Sequence, residues 1–175
     1  PILARVNIME EFVIPFKGLD VGNHQFNFKI GDKFFESFEY FENISGKINI
    51  DINLLKEPNM MIFNFSFKGI LKLRCDRCLG KYDYDINGDN QLIVKYGDKY
   101  SEESEEVVII PNTESRINLK QHIFEYVSLM IPVWKIHPDN EDGEPDCDKD
   151  ITDRIDKYSK PDNDPRWDAL KDLKL

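Results

Sequence analysis

The chain has 175 residues, 33 of them acidic and 23 basic, for a formal net charge of -10. Hydrophobic residues make up 41% and aromatics 12%, enough to build a packed core, so wholesale disorder is excluded. No apolar run approaches the ~20 residues that span a bilayer, and the net charge argues against coating nucleic acid over the whole surface.

The first part reads as antiparallel β structure. Phe26, Phe28 and Ile30 alternate with Gln25, Asn27 and Lys29, which predicts a strand with one buried face. Residues 32–42 break that alternation. Phe34, Phe38 and Phe41 recur there at helical spacing and predict a short helix or helical turn. Ile48, Ile50, Ile52 and Leu54 then alternate with Lys47, Asn49, Asp51 and Asn53. Lys56-Glu57-Pro58-Asn59 makes a turn. Beyond it Met61, Phe63, Phe65, Phe67, Gly69, Leu71, Leu73 and Cys75 share one parity, and Asn64, Ser66, Lys68, Lys72 and Arg74 share the other. The two segments are expected to pair as a hairpin. Further strands are expected at 91–96 and 107–110, with residues 101–106 a solvated acidic loop between them.

The clearest helix begins near Asn118, a capping residue, with Gln121 three positions on as a capping box requires. Leu119, Ile123, Tyr126, Val127 and Met130 form its apolar stripe, and Pro132 stops it. Residues 138–150 are rich in Asp, Glu, Pro and Gly and are expected outside the core. After a polar linker at 161–164, Asp164-Pro165 starts a terminal helix carrying Trp167, Leu170 and Leu173 on one side. So short a helix must dock on something to be stable. The organisation expected is a single α+β domain over 1–160 and a docking segment over 161–175. The domain is β-rich over 1–111, with helix and acidic loop over 112–160. Its fold is a twisted antiparallel, barrel-like sheet packed against one main helix.

Charge is unevenly placed. Residues 1–100 hold 13 basic and 14 acidic side chains; residues 101–175 hold 10 and 19. Within the first part, residues 66–81 carry Lys68, Lys72, Arg74, Arg77 and Lys81 against Asp76 alone, a net of +4. These five are candidate phosphate contacts, since each neutralised phosphate adds to affinity and to its salt dependence. The competing reading is a solvated strand face that discourages edge pairing.

Three cysteines are an odd number, which argues against a disulfide-stapled secreted scaffold and for a cytoplasmic protein. Cys75-Asp76-Arg77-Cys78 has the spacing of a metal knuckle, followed by Gly80 in a turn. One such pair is half a site. His24 sits in a Gly22-Asn23 turn, and His122 lies off the apolar stripe of its helix, where solvent is expected. His137 and Cys147, ten residues apart, can reach the knuckle if their loop folds back. Cys75, Cys78, His137 and Cys147 would complete a tetrahedral zinc site of formal charge -1. Arg74 and Arg77 would help hold its thiolates deprotonated. Two reduced cysteines without ligand, a redox dithiol, and cation capture by Asp146 and Asp148 compete with it. No amphipathic helix follows Cys78, which a thioredoxin-like dithiol needs. No Gly-rich phosphate loop, His-Glu-x-x-His or Gly-x-Ser-x-Gly occurs, so no catalytic constellation can be named.

Leu73-Arg74-Cys75-Asp76-Arg77-Cys78-Leu79 resembles the Cys-x-Arg-Cys signature of the YceD family, the large ribosomal RNA subunit accumulation proteins. Ile117-Asn118-Leu119, the helix, Ile131-Pro132-Val133 and His137 follow in the family's order. The closing Asp164-Pro165-Arg166-Trp167-Asp168-Ala169-Leu170-Lys171 resembles its terminal segment. The resemblance spans about residues 46–175. It implies a non-enzymatic role in accumulation of large-subunit ribosomal RNA, with metal binding at Cys75, Cys78, His137 and Cys147. The partner expected is ribosomal RNA, a ribosomal protein or an assembly factor. The alternative function is a protein-binding adaptor without RNA contact, using the acidic loops and Trp167. A metal- or thiol-dependent hydrolase ranks third.

Overall fold

The computed structural model describes residues 12–39, 44–140 and 143–159. They fall into two compact units. The first takes the chain up to Leu73 together with Lys81–Trp134, and the second takes Arg74–Gly80 with the residues from Lys135 onward.

The first unit is built on a six-stranded sheet. In chain order its elements are β1 (Val13–Pro15), β2 (Gly22–Ile30), helix α1 (Asp32–Glu36), β3 (Ser45–Lys56) and β4 (Met60–Arg74), whose last residue belongs to the second unit. Then come β5 (Lys81–Gly97), β6 (Ser101–Ser104), β7 (Val107–Pro111), β8 (Arg116–Asn118) and helix α2 (Lys120–Met130). The large sheet runs β2-β3-β4-β5-β7-β6, and β1 and β8 form a separate pair.

The expected hairpin is present: β3 and β4 pair antiparallel from Ser45↔Lys72 to Lys56↔Met61. Its alternation decides the faces. Ile48, Ile50, Ile52 and Leu54 of β3 are buried, as are Met61, Phe63, Phe65, Phe67, Leu71 and Leu73 of β4. Residues between them face out. Phe63, Phe65 and Phe67 stack along β4 with ring centroids 6.4 and 6.0 Å apart. Tyr126 of α2 meets Phe65 edge-on at 5.3 Å and donates its hydroxyl to the Gln91 carbonyl, so the helix is fixed both by packing and by a directed bond. Leu119, Ile123, Tyr126 and Val127 are buried with the sheet, as the stripe predicted, and Met130 packs against the same core.

Several expectations need correction. The sheet is mixed, because β7 lies parallel to β5 while β6 runs antiparallel to β7. It is not closed into a barrel: β2 and β6 stand at its two ends. Residues 101–106 are not simply a loop, since Ser101–Ser104 pairs with β7 as a short edge strand. Its four residues are all exposed, which is why their sequence carries no alternation. The first helix stops at Glu36, sooner than aromatic spacing suggested; Phe38 instead stacks on Phe124 at 4.1 Å. The N-cap of α2 is Leu119, which has no side-chain cap bond, rather than Asn118; Asn118, one residue earlier, accepts from the Lys120 amide at 2.9 Å, and the Gln121 side chain donates to Glu125 rather than forming a capping box. The terminal helix and Phe41 lie outside the described residues. Among the described residues no helix is long and apolar enough to cross a membrane.

The second unit holds the Arg74–Gly80 loop and helix α3 (Lys149–Tyr158), which the sequence reading did not foresee. Asp148 caps α3, its carboxylate accepting from the amides of Asp150 and Ile151 at 2.9 and 3.4 Å. Ahead of α3 the chain turns back on itself at Gly143 (φ +78), with Asp139 bridged to Pro145.

One glycine of β4 is required by packing. A Cβ at Gly69 would stand 2.1 Å from the Lys47 carbonyl oxygen and 2.6 Å from the Ile48 Cα, both backbone atoms that cannot swing aside. Gly69→Ala should therefore destabilise by roughly 1–3 kcal/mol, the range for overpacking. Gly18→Ala, which meets nothing within 4 Å, should change stability by no more than a few tenths. Denaturant unfolding of the two variants checks the contrast; equal stabilities would show that β3 and β4 do not approach so closely.

Candidate metal centre

The second unit shapes the Cys75–Cys78 loop through its backbone. The Cys75 amide donates to the Gly80 carbonyl at 2.8 Å, and the Leu79 amide donates to the Cys75 carbonyl at 2.9 Å. This tight loop places Leu79 in the left-handed region at φ +63, a conformation that costs a non-glycine residue about 1–2 kcal/mol. Gly80, read from sequence as the turn residue, serves differently. A Cβ there would lie 3.4 Å from both the Cys78 Sγ and the His137 Cε1, so the position leaves room for the imidazole.

A second segment is tied to this loop by Asp76. The Asp76 amide donates to the Lys135 carbonyl at 2.6 Å, and the Lys135 amide donates back to the Asp76 Oδ2 at 2.9 Å. Two residues later His137 presents its Nδ1 to the Cys78 Sγ at 3.5 Å. Cys147 stands one residue before the Asp148 cap of α3. Its Sγ lies 3.7 Å from the Cys75 Sγ and 3.7 Å from the His137 Nδ1. The ligand atoms of Cys75, Cys78, His137 and Cys147 all lie within 4.8 Å of one another.

These separations fit one ion. Tetrahedral zinc with Zn–S near ~2.3 Å and Zn–N near ~2.0 Å has S···S edges of about 3.8 Å and S···N edges of about 3.5 Å. Three of the six separations, at 3.5, 3.7 and 3.7 Å, match those edges, and the 3.7 Å S···S contact is too long for a disulfide. All three cysteines are free and buried. The four residues thus form a set that can hold a metal ion.

Electrostatics point the same way. Burial pushes the Cys75 thiol up, but backbone N–H groups of Cys78, Arg77 and His137, joined by the His137 side chain, outweigh it and bring the pKa down to about 6. Burial pushes Cys147 up to about 11, helped by hydrogen bonds and charge from Cys75 and Cys78. Cys147 thus resists ionising beside its neighbours. A divalent ion removes that conflict, because each thiolate then faces positive charge rather than its neighbours.

The four residues named from sequence are therefore brought together, and the other candidates are not. Asp148 is spent on the cap of α3, and the Asp146 backbone amide is bonded to the Pro138 carbonyl. His24 bonds the Asp20 carbonyl at 2.8 Å. Of the basic residues, Lys68 and Lys81 are exposed, while Lys72 pairs with Asp83 at 3.6 Å in the first unit. In the second unit Arg74 donates to the Leu79 carbonyl, and Arg77 lies 3.9 Å from Asp156. Both ion pairs are exposed and contribute little to stability. Trp167 lies outside the described residues. Sequence reasoning missed α3, although Ile151, Ile155 and Tyr158 repeat at helical spacing behind an Asp cap. It also missed Asp76, whose clamp on Lys135 leaves no sequence pattern.

The family model described as large ribosomal RNA subunit accumulation protein YceD matches residues 63–174, well over half of the chain. Neither a curated protein nor a solved structure matches it.

His122, expected on a solvated face, is instead largely covered in the first unit. Its side chain is 14% exposed, its ring lies near Tyr126, and its Nδ1 is 3.8 Å from the Glu125 carboxylate. Burial lowers its pKa below 6.5, against the opposing pull of Glu125 and Glu102. A histidine held neutral in the fold binds its proton more readily when unfolded. Its contribution to stability is thus present above 6.5 and lost as pH falls through the lowered value. An NMR titration of the His122 ring should give a midpoint below 6.5. His122→Gln should remove that part of the stability loss on acidification. A midpoint at or above 6.5 would contradict the burial.

Proposed function

This chain belongs to the YceD family of large ribosomal RNA subunit accumulation proteins, and from that premise we propose a non-enzymatic ribosome-biogenesis factor held together by one structural zinc ion. The observation that carries the reading is the donor set of the second unit. Cys75, Cys78, His137 and Cys147 supply four protein ligands within 4.8 Å of one another, enough to fill the coordination of a structural zinc ion with no position over for a reacting water. Three thiolates favour zinc over magnesium or calcium, which prefer oxygen. Zinc bound there would keep the thiols ionised and fix the Arg74–Gly80 loop to the segment that begins at Lys135. A reducing cytoplasm, where thiols stay free for metal, suits such a site.

Contact with large-subunit ribosomal RNA would use Lys68, Lys72, Arg74, Arg77 and Lys81, which flank the cysteines in sequence with a net of +4 over residues 66–81. The acidic second part of the chain would hold off non-specific RNA or meet a basic ribosomal protein. A second reading, an adaptor that binds protein and never touches RNA, draws on the exposure of Val133 and Trp134, the latter 77% exposed. On that reading Trp167 would be a further anchor.

Affinity capture of the full chain at moderate salt, read for RNA and protein together, separates the two. The proposal expects large-subunit ribosomal RNA or its precursors in the wild-type capture, and loss of that RNA from Lys72→Glu/Arg74→Glu/Arg77→Glu. Capture of ribosomal proteins without RNA by wild type and variant alike would favour the adaptor. Recovery of neither would overturn both.

A further inference from the structure

The register of the large sheet places a second set of cations beside those that the sequence singled out. In an antiparallel pair, residues directly opposite share a face. Lys29 of β2 stands opposite Asn49 of β3, and Asn49 stands opposite Lys68 of β4. One same-face step along, Lys47 of β3 stands opposite Ile70, and beyond it Ser45 stands opposite Lys72. Lys29, Lys47, Lys68, Ile70 and Lys72 are all exposed. Four lysines from three adjacent strands thus occupy one solvent-facing area, although 43 positions separate Lys29 from Lys72 in sequence.

Strand geometry sets its size. Neighbouring strands lie about 4.8 Å apart and same-face residues about 6.8 Å apart along a strand. Lys29 and Lys68 are therefore about 10 Å apart at Cα across Asn49, with Lys47 about one same-face step away. Lysine side chains are long enough to close on one stretch of backbone from these positions. At the centre Ile70 is 48% exposed, an apolar spot where a buried-face alternation would otherwise put a polar residue. Carboxylates lie on the flanking strand as well: Asp83, Asp85 and Asp89 are exposed on β5, next to β4. Asp83 pairs with Lys72 at 3.6 Å, and Asp51 lies one step from Asn49 on the side away from Lys47. Among the described residues, no ion pair engages Lys29, Lys47 or Lys68.

We propose that this lysine face of β2, β3 and β4 is a phosphate-contacting surface for RNA, with Lys29 and Lys47 as contacts that the linear sequence does not disclose. The argument from complementarity is direct. A chain of net charge -10 is repelled by phosphate as a whole, so approach must be confined to a local area of opposite sign; across β2, β3 and β4 four exposed lysines stand against Asp51 alone. The contacts are sequence-independent, because lysine on phosphate positions a strand without reading bases. The proposal rests on the RNA-binding reading above, and adds to it where on the first unit the backbone lies.

The test is nitrocellulose filter binding of the full chain to large-subunit ribosomal RNA transcribed in vitro, from about 50 to about 200 mM salt. The variant is Lys29→Gln/Lys47→Gln, which alters two exposed side chains; Lys17→Gln/Lys99→Gln removes the same charge elsewhere on the unit. Thermal unfolding confirms that both fold. The lysine-face variant should flatten the slope of log affinity against log salt by about 1.4, roughly 0.7 for each lost contact to a single strand, while the control keeps the wild-type slope. Wild-type affinity and slope in Lys29→Gln/Lys47→Gln, with RNA binding otherwise intact, would overturn this surface and leave the RNA reading standing. An equal loss in the control would also overturn it, by showing a general charge effect. Absence of RNA binding by the wild type would remove both.

Discussion

On the reading proposed above, an ion held by four side chains would carry a share of the second unit's stability that an apolar core ordinarily supplies. Among the described residues of that unit, the buried side chains are Cys75, Cys78 and Cys147, and α3 buries none. Exposed ion pairs such as Arg77 with Asp156 add little, and so short a helix is marginal alone. What remains is the backbone clamp between Asp76 and Lys135 and the convergence of three sulfurs with one imidazole. An ion that bound only the assembled ligands, as proposed above, would add its binding free energy to folding. The first unit is the opposite case. Its sheet buries a continuous apolar core of Phe, Ile, Leu, Val and Met with α2.

The same constraint explains the local chemistry. Against burial, backbone N–H groups and the His137 side chain hold Cys75 down to about 6, while burial, helped by its sulfur neighbours, drives Cys147 up to about 11. The backbone N–H groups around Cys75 favour its thiolate form. The strained Leu79 and the space beside Gly80 follow from the same need, to point two sulfurs and a ring nitrogen at one centre.

Much of this was legible in the sequence, for physical reasons that differ between the units. The β3–β4 hairpin was readable because one face is buried for its whole length, so the pattern has period two without interruption. The stripe of α2 was readable for the equivalent reason at helical spacing. The metal ligands were nameable by chemistry alone, because so few soft donors exist in this chain. What stayed hidden was set by pairing rather than by residue type. Edge strand β6 is exposed on every side and so has no alternation. The order β5-β7-β6, with its parallel pair, is a matter of topology that hydrophobic pattern does not encode. His122 read as solvated because it lies off the stripe, yet neighbouring side chains cover it. Lys29 and Lys47 looked like ordinary outward residues until register put them beside Lys68 and Lys72.

The net charge of -10 is a sum over unlike regions, and the fold sharpens that division. Cations gather on the outward face of β2, β3 and β4 and in the Arg74–Gly80 loop, while the segment around α3 is acidic. The central claim, however, is the ion. Zinc-edge X-ray absorption of the full chain, purified without added zinc, tests it most directly. A structural site should give a bound zinc ion with three sulfurs at about 2.3 Å and one nitrogen at about 2.0 Å. A shell of oxygen and nitrogen alone, or a folded protein that carries no metal, would contradict it.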